Sequence, residues 1–255
     1  MNTQRTIGSI VAEDYRTAPV FSKFKIDFCC KGGRSIEEVC RDKEIDPVAL
    51  IEALLESIDN TPAPVDADLN NWSATELASY IERVHHSYVR DTTPILTAYL
   101  KKVATVHGDR HPELLEIFTL FQESTIELLN HMIKEETILF PAIKRMEQLV
   151  ENGELLDKPF FFGTVENPIT MMRHEHSAEG DRFEKIANLS HSYTPPADAC
   201  NTYIVSFAKL REFEADLHRH IHLENNILFH KAVALEQQLA LNAEYSQAAC
   251  AVPSL

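Results

Sequence analysis

Apolar residues recur at helical spacing along most of the chain, and no run of alternating β-branched residues announces a strand. Helix-start signals punctuate that pattern. Ser35-x-x-Glu38 is a capping box, whose two side chains satisfy free amides of a first helical turn. Asp46-Pro47 supplies an N-cap and a proline at the first helical position, ahead of VALIEALLESI. These signals predict two or three short helices within residues 5–59. A stretch rich in Pro, Asp and Asn follows and reads as a linker at 61–71. Ser73-x-x-Glu76 then opens a long helix to about residue 106. A second starts near His111-Pro112 and runs to about 150, with Pro141 inside it expected to kink or restart it. A third opens at Asn167-Pro168 and ends near 190, and Tyr193-Thr194-Pro195-Pro196 breaks the chain before a fourth at about 197–240. Phe160, Phe161 and Phe162, in the longer connection, are expected to cap one end. The expected fold is all-α: a small helical N-terminal domain (1–60), the linker, and an up-down four-helix bundle (72–255).

Composition narrows the function. The 255 residues carry 24 Lys+Arg against 39 Asp+Glu, a net charge of −15, and no basic patch, which argues against a nucleic-acid partner. No run of 18 apolar residues predicts a membrane span, and the N-terminus lacks the apolar core of a secretory signal, so a cytoplasmic protein is expected. Five cysteines (Cys29, Cys30, Cys40, Cys200, Cys250) are odd in number and scattered, unlike a disulfide framework. The unusual count is 12 histidines.

Those histidines follow an internal repeat. LLNHMIKEETILFPAI (128–143) resembles LHRHIHLENNILFHKA (217–232), with identities that include His131/His220 and Glu135/Glu224. His86-Ser87 and His176-Ser177 repeat at nearly the same offset on the other two helices. His131 and Glu135, like His220 and Glu224, are four residues apart and so share one helix face. A single H-x3-E is ordinarily a surface ion pair; two copies at equivalent positions of a repeat, flanked by Ile133, Ile138, Leu139 and Ile221, Ile227, Leu228, border the core. Two such helices, with one His from each of the other two, make a set of four His and two Glu, in which both carboxylates are free to bridge a metal pair.

His86-x3-Arg90-x3-Pro94, HMIKEETILFP, HEHSAEG and HIHLENNILF together resemble the hemerythrin-like domain of the iron–sulfur cluster repair di-iron proteins (RIC, YtfE/ScdA type), and the earlier DFCCKGG resembles the small domain that precedes it there. The resemblance implies two iron ions in a non-haem, oxo- or hydroxo-bridged centre, held by His86, His131, Glu135, His176, His220 and Glu224, with Glu135 and Glu224 bridging. It implies repair of iron–sulfur proteins damaged by nitrosative or oxidative stress, with iron donation as the main act and nitric oxide reduction as a secondary one. The small ligands are then NO, O2 or peroxide. An alternative is a hemerythrin-type O2/NO sensor or store without turnover. His85 and His86 cannot both face the core of a regular helix: phasing with Ile81, Val84 and Tyr88 favours His85, and the family spacing favours His86, which is taken here. His174 and His176 pose the same choice, and spacing to Gly180 favours His176.

Cys29 and Cys30 are the other chemical signal. Adjacent Cα atoms lie about 3.8 Å apart, below the usual disulfide range of about 4.4–6.8 Å. The pair therefore reads as reactive thiols, with Lys31 and Arg34 nearby expected to favour the thiolate. The resemblance gives them a part in repair, as receivers of iron, nitrosyl or electrons. Cys40, Cys200 and Cys250 are expected to be inert, His107 and His111 to be helix-end residues, and exposed thiols on an acidic bundle are compatible with a homodimer.

Overall fold

The computed structural model describes residues 1–62 and 69–250, the last six of these by backbone alone. Most of the predicted linker and the side chain of Cys250 thus lie outside the described residues. Among the described residues the chain is helical, with two isolated β-bridges and no strand.

The N-terminal region holds α1 (Ile7–Glu13), α2 (Ala18–Lys23), α3 (Ile36–Lys43) and α4 (Pro47–Asn60). Both Ser35–Glu38 bonds of the capping box form at the start of α3, and Asp46 caps α4 with Pro47 in its first turn. The remainder is an up-down bundle of four rods. The first joins α5 (Ala74–Ile81), a π-helical turn (Glu82–His86) and α6 (Ser87–His107). The second joins α7 (Glu113–Lys134), a π turn (Glu135–Leu139) and α8 (Phe140–Asn152). The third is α9 (Glu166–Leu189), and the fourth joins α10 (Asn201–Leu223), a π turn (Glu224–Leu228) and α11 (Phe229–Cys250). Pro141 does not end the second rod, because the wide turn just before it accommodates the missing amide donor. Phe160 is half-buried against the bundle end, whereas Phe161 is 83% exposed and caps nothing.

Two apolar clusters fill the interior. One merges the N-terminal region (Ile7, Phe21, Ile36, Leu50) with one half of the bundle (Leu96, Phe121, Phe213). The other fills the opposite half around Leu77, Phe140, Ile169 and Phe229. On every rod the conspicuous histidines and glutamates fall between the two. The N-terminal region is seated directly on the fourth rod. Asn225 donates to the Cys29 carbonyl (3.0 Å), Asn226 donates to the Phe28 carbonyl (3.3 Å), and the Phe28 ring packs on His218 and His222. That approach needs glycine: a Cβ on Gly8 would lie 2.2 Å from Asn226 Oδ1.

Candidate metal centre

Each π turn begins or ends at one of the residues that matter. The turns widen the helix by one residue per turn, and π turns of this kind are frequent at functional sites. In the first rod the turn changes an expectation: His85 and His86 are both buried (1% and 0% exposed), because the extra residue lets two consecutive side chains face inward. They face different partners, His85 lying 2.9 Å from Asp216 and His86 pointing to the centre. His176 is buried and His174 exposed. Of the apolar flanks expected at the core, Ile133 is 53% exposed and Ile138 only half-buried, while Leu139, Ile221, Ile227 and Leu228 are buried.

His86, His131, Glu135, His176, His220 and Glu224 meet at the waist of the bundle, none more than 3% exposed. Two groups of possible donors each lie within 4.8 Å: His86, His220, Glu135 and Glu224, and His131, His176, Glu135 and Glu224. Both glutamates belong to both groups. All four imidazoles present Nε2: His86 and His131 lie 3.4 and 3.3 Å from Glu135 Oε2, and His220 and His176 lie 2.9 and 3.1 Å from Glu224.

Three of the four outer nitrogens follow a cyclic rule, and His220 Nδ1 is buried without a partner. His86 Nδ1 lies 2.6 Å from Glu136, the neighbour of Glu135 on the second rod. His131 Nδ1 lies 2.8 Å from Glu175, the neighbour of His176 on the third. His176 Nδ1 lies 3.0 Å from Asn225, the neighbour of Glu224 on the fourth. On the fourth rod, the ring of His220 is stacked on His85, the neighbour of His86 on the first. An acceptor at Nδ1 fixes the proton there and leaves the Nε2 lone pair facing inward, as metal-binding histidines require. Arg90 donates twice to Glu136 (2.8 and 2.7 Å), and Lys134 pairs with Glu175. The bond to His131, reinforced by Lys134, holds the Glu175 carboxyl down at about 2.

A metal fits these residues by a direct test. His86 Nε2, both Glu135 carboxylate oxygens and Glu224 Oε2 are buried without a hydrogen-bond partner. Buried carboxylates left in that state are costly unless a cation satisfies them. Burial and Glu224 push the Glu135 carboxyl up, but His131 and His86 more than offset this and hold it below the usual carboxylate range. Glu224 is held well below that range by His220, His176 and His86, against the effect of burial. Burial opposes charging of His86, yet the two carboxylates raise it to about 10. A bound cation satisfies the same carboxylates with the imidazoles neutral, the form in which they ligate. A cavity of about 200 Å³ between α7 and α9 leads from the surface to His131 and His176, past Glu127, His174 and Glu179.

The cysteine pair lies against this centre. Cys29 and Cys30 are free, with sulfurs 3.7 Å apart, and the Cys30 thiol reaches the backbone carbonyl of His176 (3.3 Å). Gly180, one turn further along α9, leaves room for it: a Cβ there would sit 3.3 Å from Cys30 Sγ. The charge nearest the thiols is not the cationic one expected. Lys31 and Arg34 pair with Asp181 and Asp42, whereas Asp27 lies 3.4 Å from Cys29 Sγ. Its bond to Cys30, burial and Asp27 together push the Cys29 thiol well above its ordinary value. Asp27, Cys29 and Cys30 form a third group with metal-binding spacing.

Known proteins resemble the chain over both of its regions. Residues 77–232 match the hemerythrin HHE cation binding domain, and residues 3–58 match the ScdA_N family, described as a domain of unknown function. The chain is 30% identical over 233 residues to the iron–sulfur cluster repair protein ScdA of Staphylococcus haemolyticus, covering 91% of this chain and 99% of that protein. The chain belongs to the ScdA/YtfE family of iron–sulfur cluster repair proteins. Within that family it is also 34% identical over 236 residues to YtfE of Musicola paradisiaca (90% and 96% covered) and 33% identical over 236 residues to YtfE of Escherichia coli (90% and 97%). It carries a hemerythrin-type metal-binding bundle behind a small helical N-terminal region. No described helix is long and apolar enough to cross a membrane.

Sequence reasoning missed Glu136, Glu175 and Asn225, although each directly adjoins a residue it had singled out.

Proposed function

We propose that the chain repairs damaged iron–sulfur proteins by holding two iron ions and giving iron up to a client. The observation that carries this reading is the sharing of Glu135 and Glu224, with unpartnered buried oxygens, between two His-containing donor groups. His86, His131, His176 and His220 would be the terminal ligands and the two glutamates the bridges. Four imidazoles and two carboxylates suit iron better than the all-oxygen cages of magnesium or calcium. Two irons held there, with an oxo or hydroxo bridge, would supply redox chemistry and open positions for NO, O2 or peroxide.

The protein's own residues set how iron is kept and released. The Nδ1 partners Glu136, Glu175 and Asn225 orient three imidazoles, and the cavity beside His131 and His176 is a short route for a cation to and from solvent, lined by Glu127 and by Glu175 and Glu179, which pair with Lys134 and Arg182. Cys29 and Cys30, with Asp27, stand beside the His176 backbone as receivers of iron or nitrosyl. In this reading, residues 1–60 form the thiol-bearing domain and 72–255 the iron-bearing one, working in the cytoplasm under nitrosative or oxidative stress.

A metal count and optical spectrum of the purified protein test the first half: two irons per chain with oxo-to-iron absorption are expected, and a chain without stoichiometric iron overturns the reading. Reactivation of a nitric-oxide-damaged [4Fe–4S] enzyme tests the second. Wild type should restore activity, and Cys29→Ser/Cys30→Ser with full iron content should fail. Equal reactivation by the double variant removes the cysteines from the mechanism.

A further inference from the structure

Cys200 was expected to be inert, but its surroundings are those of a nucleophile. It is exposed and occupies the N-cap position of the 23-residue α10 without using its side chain as a cap. The first amides of that helix have no intrahelical partners and place partial positive charge beside the sulfur. His107, the last residue of α6, is 5% exposed and presents Nε2 3.2 Å from Cys200 Sγ. Its Nδ1 is buried with no partner, so no other hydrogen bond competes for the ring. The Tyr203 ring packs against His107 at 5.5 Å and against His111 at 5.9 Å, and His111 is itself tied to Asp198 (3.0 Å).

We propose that Cys200 and His107 form a thiol–imidazole pair that reacts with small disulfides, a modification site separate from both the iron-binding waist and the Cys29–Cys30 loop. In the step, Cys200 Sγ attacks one sulfur of the disulfide and its proton passes to His107 Nε2. The new bond joins Cys200 to that sulfur, the old sulfur–sulfur bond breaks, and the departing thiolate takes the proton from His107. The products are a mixed disulfide on Cys200 and one small thiol, with no outside oxidant or reductant.

The test uses the full-length, metal-loaded protein and 5,5′-dithiobis(2-nitrobenzoic acid), with peptide mass mapping to assign label to each of the five cysteines. Cys200 should be labelled in the fast phase, about tenfold or more faster than the same cysteine in the urea-unfolded chain. Cys200→Ser should abolish that phase, and His107→Gln, with unchanged helicity and iron content, should slow it by a similar factor. A native rate equal to or below the unfolded rate overturns the proposal, as does a folded His107→Gln variant that reacts like wild type. If that variant does not fold, the comparison of native with unfolded protein decides alone.

Discussion

Asn225 offers the sharpest test of how the N-terminal region and the waist of the bundle are joined. Its amide is buried and serves both: Nδ2 donates to the Cys29 carbonyl, and Oδ1 lies 3.0 Å from His176 Nδ1. Asn225→Ala removes both bonds, leaving a buried imidazole N–H without a partner and the Cys29 carbonyl with only the long contact from Asn226 (3.5 Å). A buried donor orphaned in this way costs about 1–3 kcal/mol. Loss of an outer hydrogen bond to a ligand histidine typically weakens metal binding about 10–100-fold, or about 1.4–2.7 kcal/mol, the same range reached from the bond count. Chelator competition on loaded protein should therefore show an apparent metal affinity lower by that factor, and urea titration of metal-free protein a loss of about 1–3 kcal/mol. Asn225→Asp separates the two roles, since a carboxylate still accepts from His176 but cannot donate to Cys29. It should recover metal affinity without recovering stability. An alanine variant that matches wild type in chelator competition would refute the claim that Asn225 orients His176.

Two further outcomes follow from packing and titration. Burial raises the Glu214 carboxyl to about 7, whereas an unfolded Glu titrates near about 4.3. Between those values the folded chain keeps a proton that the unfolded chain has lost, so stability falls as the pH rises through the window. Glu214→Gln should remove that decline and gain about 1–3 kcal/mol on wild type between pH 5 and pH 8 in urea titrations; parallel pH profiles would contradict it. Gly8→Ala should cost about 1–3 kcal/mol by the same measurement, because Asn226 can retreat from the added methyl only by giving up its bonds to Phe28 and His222. An unchanged urea midpoint would show that the contact relaxes freely.

Much of the architecture was readable because its causes are local. Capping at Ser35, Asp46 and Ser73 depends on residues two or three positions away, and each cap formed as expected. His131 with Glu135 and His220 with Glu224 were visible because four-residue spacing fixes a shared face and the repeat showed it twice. The π turns were not readable. Nothing in ERVHH, EETIL or ENNIL differs from ordinary helical sequence, so periodicity carries no sign of the widening. That is why regular phasing made His85 and His86 rivals when both are buried. The partners Glu136, Glu175 and Asn225 reach across to neighbouring rods, so only tertiary structure assigns them. The thiol environment failed for a related reason: Lys31 and Arg34 are near Cys30 in sequence but are drawn off to Asp181 and Asp42.

The division of the interior into two apolar clusters has a mechanical corollary. A bundle whose greasy packing stops at mid-height relies on its polar girdle to fasten the ends together. On the proposed function, iron can leave the girdle while the apolar clusters at both ends stay packed. On that same proposal, such a bundle can be emptied and refilled without refolding.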